Sequence, residues 1–122
     1  MGFGEAIATC FRKYVVFSGR ASRPEYWFFV LFQILVIVVL MIVDAVVGTG
    51  VLSTIASLAM FLPSLAVGAR RLHDTDKSAW WLLIGLIPLI GPIVLIVFFC
   101  QRGTDGANSY GAPAAGAAAA YA

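Results

Sequence analysis

Three residues in one short stretch are of the types that proton transfer and metal binding use: His73, Asp74 and Asp76, within R-R-L-H-D-T-D-K-S-A-W-W at 70–81. An imidazole titrates near neutrality and, with carboxylates, can shuttle protons or hold a divalent ion. An active metal site needs about three protein ligands, and here all three would come from one segment. No second cluster of His, Cys or acids stands elsewhere, Glu25 apart, and there is no nucleophile elbow, phosphate-binding glycine loop or zinc motif. The chain is therefore expected not to be an enzyme, with no catalytic residues, no metal and no cofactor.

The same charges have a reason to be there without catalysis. Arg70, Arg71 and His73 would follow a helix C-terminus, where cations offset the negative end of the helix dipole. Asp74, Thr75 and Asp76 would precede a helix N-terminus, where short oxygen-bearing side chains cap exposed N–H groups. Glu25, His73, Asp74 and Asp76 are thus expected in structural ion pairs.

The elements holding this stretch are apolar. At 61% hydrophobic, 11% charged and a mean hydropathy of +0.97, the chain is far from a soluble domain, which is about a quarter charged. A core cannot hide so much apolar surface in 122 residues, since small domains bury only about 60 to 70% of what they would expose. Three runs approach the roughly 20 apolar residues that cross a bilayer: Tyr26 to Val43 with Gln33 inside it, Val51 to Ala69, and Ala79 to Cys100. The expected fold is an all-α membrane protein with three transmembrane helices, over about 24–47, 51–69 and 79–100. Residues 1–102 form a single membrane domain, and 103–122 a flexible Gly/Ala-rich tail of low complexity.

Before the first span, Ile7, Phe11, Tyr14 and Val15 fall at helical spacing beside Arg12 and Lys13, the pattern of a short interfacial amphipathic helix over 5–17. Ser18-Gly19 ends it. Ser22 and Glu25 then have capping-box spacing with Pro24 in the first turn, so Ser22 is the expected N-cap of the first span.

Lys and Arg are retained on the cytoplasmic side. Arg12, Lys13, Arg20 and Arg23 precede the first span, Arg70, Arg71 and Lys77 lie between the second and third, and only Arg102 follows the third. Three crossings from a cytoplasmic N-terminus put seven of these inside and leave the C-terminus periplasmic. The first span lacks a small-x-small cleavage site and is expected to stay as an anchor. Cys10 and Cys100 would be a membrane thickness apart, too far for a disulfide. A net charge of +2 gives no case for nucleic acid.

Within the spans, Gln33 is expected to face another helix, because an unpartnered amide is costly in lipid. Asp44 reads either as a hydrated acid at a helix end or as a partner-bound, proton-linked one. Gly85, Pro88, Gly91 and Pro92 weaken the third helix. A kinked crossing is favoured over a broken helix lining a substrate site, and a stretch that turns back, leaving the C-terminus inside, is the remaining option.

F-S-G-R-A-S-R-P-E-Y-W at 17–27, the 70–81 stretch, I-P-L-I-G at 87–91 and G-T-D-G-A-N-S-Y-G at 103–111 together resemble the small bacterial inner-membrane family called domain of unknown function 805. The resemblance covers about residues 10–111. It implies a multi-pass protein of the bacterial inner membrane and no established activity.

Both basic segments would meet at the cytoplasmic face. Arg20, Arg23, Arg70, Arg71 and Lys77 outnumber Glu25, Asp74 and Asp76, and beside Trp27, Trp80 and Trp81 the surplus suits an anionic lipid headgroup or a membrane protein partner. The expected function is that of a non-enzymatic binding or accessory subunit, alone or as a homo-oligomer. The alternative is an oligomeric small-solute transporter or channel using Gln33, Asp44 and the broken third span.

Overall fold

A computed structural model describes residues 2–104 and 106–111. Its helices are α1 (Phe3–Arg12), α2 (Arg23–Val47), α3 (Val51–Asp74), a 3-10 helix (Ala79–Leu86) and α4 (Ile90–Cys100). Among the described residues, only α2 and α3 are long and apolar enough to cross a membrane, their most apolar 18-residue windows having mean hydropathies of 3.0 and 1.8. At about 1.5 Å per residue, α2 spans more than the roughly 30 Å of a hydrocarbon core.

Local chemistry sets the ends of these two helices. The Ser22 side chain accepts from the Glu25 N–H at 3.5 Å, and Pro24 stands in the first turn, where its missing N–H costs nothing. Gly48 closes α2 at φ +83°, a left-handed position that disfavours a Cβ. Asp44 then accepts from Leu52 N (3.2 Å), Ser53 N (2.9 Å) and Ser53 Oγ (2.7 Å), placing a carboxylate at the positive end of α3. Halfway along, Gln33 Nε2 donates to Ser64 Oγ at 2.5 Å and ties α2 to α3. Gln33 does face another helix. Asp44 is bound within the chain, both its oxygens accepting from the first turn of α3.

The 79–100 stretch, expected as a third crossing, is not one continuous helix but the 3-10 helix followed by α4. After the 3-10 helix the chain reverses at Pro88-Leu89-Ile90, where Ile90 N donates to Pro88 O at 2.8 Å and Leu89 takes φ +67°. This is a γ-turn, a tight and strained reversal for a residue with a side chain. Gly91 makes the return possible: a Cβ there would lie 1.8 Å from the Ile84 carbonyl oxygen. The hairpin docks on α3 at Gly68, which faces Leu82 and Phe99. Its two feet meet, since Lys77 Nζ donates to Gln101 Oε1 at 2.8 Å. An apolar stretch long enough to cross therefore enters and leaves at one end of the α2–α3 pair.

α1 ends at Arg12, earlier than the expected 5–17, and Tyr14 to Phe17 are exposed link residues. It packs against α2 through Phe11, whose ring meets Phe29 and Phe32 edge-on at 5.5 and 6.0 Å, and through Phe3 against Phe28 at 5.8 Å. Burial is concentrated at one end of the molecule: Ala66 to Asp74 are buried without a break, whereas most of Val51 to Leu62 is exposed.

Candidate functional site

The buried end is built around charges. Arg20, Glu25, Arg70, Arg71 and Asp74 are each 3% exposed or less. Removing an ion from water costs several kcal/mol, which only close pairing and further hydrogen bonds offset. Both are found here. Arg20 Nε lies 2.9 Å from Asp74 Oδ1 and Arg71 Nη1 2.7 Å from Asp74 Oδ2, so one carboxylate bridges two guanidiniums through its two oxygens. Arg70 Nη1 pairs with Glu25 Oε2.

The remaining donors of Arg20 and Arg71 meet main-chain oxygens, several of them at helix ends, where the last carbonyls have no partner within the helix. Arg71 Nε reaches Phe99 O at 3.0 Å and its Nη2 reaches Gln101 O, capping α4. Trp27 Nε1 shares the Phe99 oxygen at 3.2 Å. Arg20 Nη1 and Nη2 donate to Gly106 O and Thr104 O, each at 2.5 Å. Ala21 N takes Arg70 O at 2.9 Å, Thr104 N takes Asp74 O at 2.8 Å, and Asn108 Nδ2 takes His73 O at 2.9 Å. The last turn of α3 is thus finished by residues from both ends of the chain.

Arg70 is different. Its Nε and Nη2 are buried without a hydrogen-bond partner, at about 1–3 kcal/mol for each unsatisfied donor. Cys10 lies beside this pair, its Sγ 4.0 Å from Glu25 Oε2. Burial above all, then the Glu25 charge, pushes the Cys10 thiol up to about 12, so it stays a neutral thiol.

The expected site residues therefore divide into two groups. Arg20, Arg70 and Arg71 do not line an open basic surface; they are inside, because two carboxylates and the ends of α3 and α4 need their donors. Glu25 and Asp74 form ion pairs. His73 does not: its Nδ1 lies 3.0 Å from Gly19 O and its ring stacks on Tyr110 at 4.0 Å, nearly parallel. Asp76 accepts from Ser109 N at 3.1 Å and is exposed. Arg23, Trp27, Lys77, Trp80 and Trp81 make up the rim, with Trp80 77% and Trp81 46% exposed. Lys77 Nζ lies 4.9 Å over the Phe98 ring, and burial, then the Arg71 charge, lowers its pKa.

Sequence reasoning missed Cys10, Thr104, Asn108 and Tyr110 as members of this cluster. Of the tail expected to be flexible from residue 103, Thr104, Asn108 and Tyr110 are held against the end of α3, and residues 105 and 112–122 lie outside the described residues. Among the described residues, no group of three or more His, Cys, Asp or Glu is placed to hold a metal ion.

A family model described as a protein of unknown function, DUF805, matches residues 14–112. The chain belongs to the DUF805 family. It is 50% identical to the inner membrane protein YhaH of Escherichia coli K12 over 106 residues, which cover 82% of this chain and 88% of that protein. It is 48% identical to the inner membrane protein YhaI of the same strain over 102 residues, covering 82% and 86%. No solved structure matches it. The DUF805 match takes in the cluster from Arg20 to Gly111 and begins after α1. With relatives named for the bacterial inner membrane and two crossing-length apolar helices, this DUF805 chain is an inner-membrane protein.

Proposed function

We propose that the protein is a non-enzymatic accessory protein of the inner membrane that crosses twice, inserts the 79–100 hairpin from the cytoplasmic side, keeps both ends cytoplasmic, and binds anionic lipid headgroups at its rim. The observation that carries this reading is the position of the rim tryptophans: Trp80 and Trp81 are exposed at the foot of the hairpin, at the same end of the α2–α3 pair as Lys77 and Arg23. Exposed indoles beside cations favour the headgroup level of a bilayer.

Two further features support it. With the third stretch turned back, all eight Lys and Arg flank the closed end, and the 44–50 link at the other end has none, a stronger positive-inside bias than three crossings would give. α1 presents Phe3 and Phe11 beside Arg12 and Lys13, which suits a helix lying in the cytoplasmic interface. Gln33 and Asp44, on which a transporter would depend, are both hydrogen-bonded within the chain.

Native mass spectrometry tests the proposal. The Arg23→Gln, Lys77→Gln double variant should retain several-fold less phosphatidylglycerol than the unaltered protein, with phosphatidylcholine retention unchanged. Equal phosphatidylglycerol retention would remove the lipid-binding function.

A further inference from the structure

Among the three buried arginines, only Arg70 leaves donors unused. Arg20 and Arg71 engage Nε and both terminal nitrogens. Arg70, 1% exposed, holds Glu25 through Nη1 and leaves Nε and Nη2 unpartnered. These two nitrogens are not an arbitrary pair. They form one edge of the guanidinium, with parallel N–H bonds at the spacing of two oxygens on one carboxylate or phosphate.

The surroundings favour an anion from outside the chain. Glu25 is already engaged through Nη1 and fixes the orientation of the guanidinium. Cys10 stands against the Arg70 guanidinium, but as a neutral thiol its sulfur is only a weak acceptor and supplies no negative charge. Lys13 stands close enough to bias the Cys10 thiol toward its anion, adding a second cation nearby. What covers this region includes α1, seated through Ala6, Thr9 and Cys10 and joined to α2 only by the link that follows Arg12, exposed from Lys13 to Gly19. Lifting α1 would part the Phe3 and Phe11 ring contacts with α2 and expose Ala6, Thr9 and Cys10, while the α2–α3 bonds of Gln33 and Asp44 involve no residue of α1.

We propose that the Nε and Nη2 edge of Arg70 is a bidentate site for a phosphate group, reached when α1 lifts, and supplied either by the phosphodiester of an anionic phospholipid or by free phosphate. The neighbouring Glu25 charge opposes a dianion more than a monoanion, so a phosphodiester is the better fit. Only the lipid source rests on the membrane placement proposed above; the unpartnered edge does not.

The test uses the full chain in nanodiscs, with arginine labelled by nitrogen-15 and the Arg70 Nε–H resonance assigned through bonds from its own backbone. In phosphatidylcholine containing phosphatidylglycerol that resonance should move downfield relative to phosphatidylcholine alone. A shift with inorganic phosphate in phosphatidylcholine, and none with phosphatidylglycerol, makes free phosphate the ligand. No shift in either overturns the proposal. Arg70→Lys, which keeps a cation on Glu25 but has no such edge, should lose about tenfold in phosphatidylglycerol retention, and retention equal to the unaltered protein would also overturn the lipid source. The rim variant separates the two readings, because Arg23→Gln with Lys77→Gln leaves the Arg70 resonance shift in place.

Discussion

Lys77 and Gln101 are joined by a 2.8 Å hydrogen bond between side chains, although a stretch that hydropathy reads as a membrane span lies between them. The bond fixes both feet of that stretch at one end of the bundle. The proposed topology, with the chain on either side of the hairpin in one compartment, rests on this bond.

A reporter can read this directly. Green fluorescent protein fused after Gly111 should fluoresce, and alkaline phosphatase at the same place should be inactive, while a phosphatase inserted in the 48–50 link should be active. An active phosphatase after Gly111 would mean that 79–100 crosses after all.

Gly91 is the residue on which the hairpin turns. Gly91→Ala puts a methyl group on the Ile84 carbonyl and should cost at least about 2 kcal/mol, read as a lower melting temperature in detergent. Gly50→Ala, with open space around it, serves as the control and should change little.

Asp74 bridges Arg20 and Arg71, so its loss leaves two buried cations short of a counter-charge. Asp74→Asn should destabilise the protein by about 3–5 kcal/mol and loosen residues 104–111, measured as faster proteolysis between Arg102 and Gly111. Asp76→Asn, at an exposed acid, should stay within about 0.5 kcal/mol.

The two cysteines should react at very different rates. Cys100 is exposed and Cys10 buried, and a thiol held up to about 12 carries little thiolate. Maleimide should label one site per folded chain and two after denaturation. The same shift has a stability consequence: the unfolded thiol loses its proton near 9, the folded one near 12. The folded state therefore binds more protons in that window, and Cys10 makes stability fall as pH rises through it, an effect that Cys10→Ala should abolish.

Much of this architecture is legible from residue types. Ser22, Pro24 and Glu25 announce the start of α2, the two long apolar runs announce α2 and α3, and Gln33 announces an interhelical bond. The 79–100 hairpin is not legible in this way, because hydropathy measures how much of a segment prefers lipid and not where it reverses. The clue lies in Gly91, whose missing Cβ matters only once Ile84 is opposite. Loop charge counts misplace the buried arginines for a related reason. They treat each guanidinium as a surface cation, whereas Arg20 and Arg71 are consumed by carbonyls of residues 99–106, which sequence spacing does not bring near. The turn-rich G-T-D-G-A-N-S-Y-G segment carries that signal, through Asn108 and Tyr110, but its composition alone reads as a tail.

The way α3 ends has a consequence for biogenesis. Its final carbonyls and the Asp74 carboxylate are satisfied from one side by Arg20 and Ala21 and from the other by Thr104 and Asn108. Both long apolar helices are therefore synthesised before the segment that completes their shared end. Until then the Arg20 guanidinium lacks the Thr104 and Gly106 carbonyls that accept from it in the folded chain.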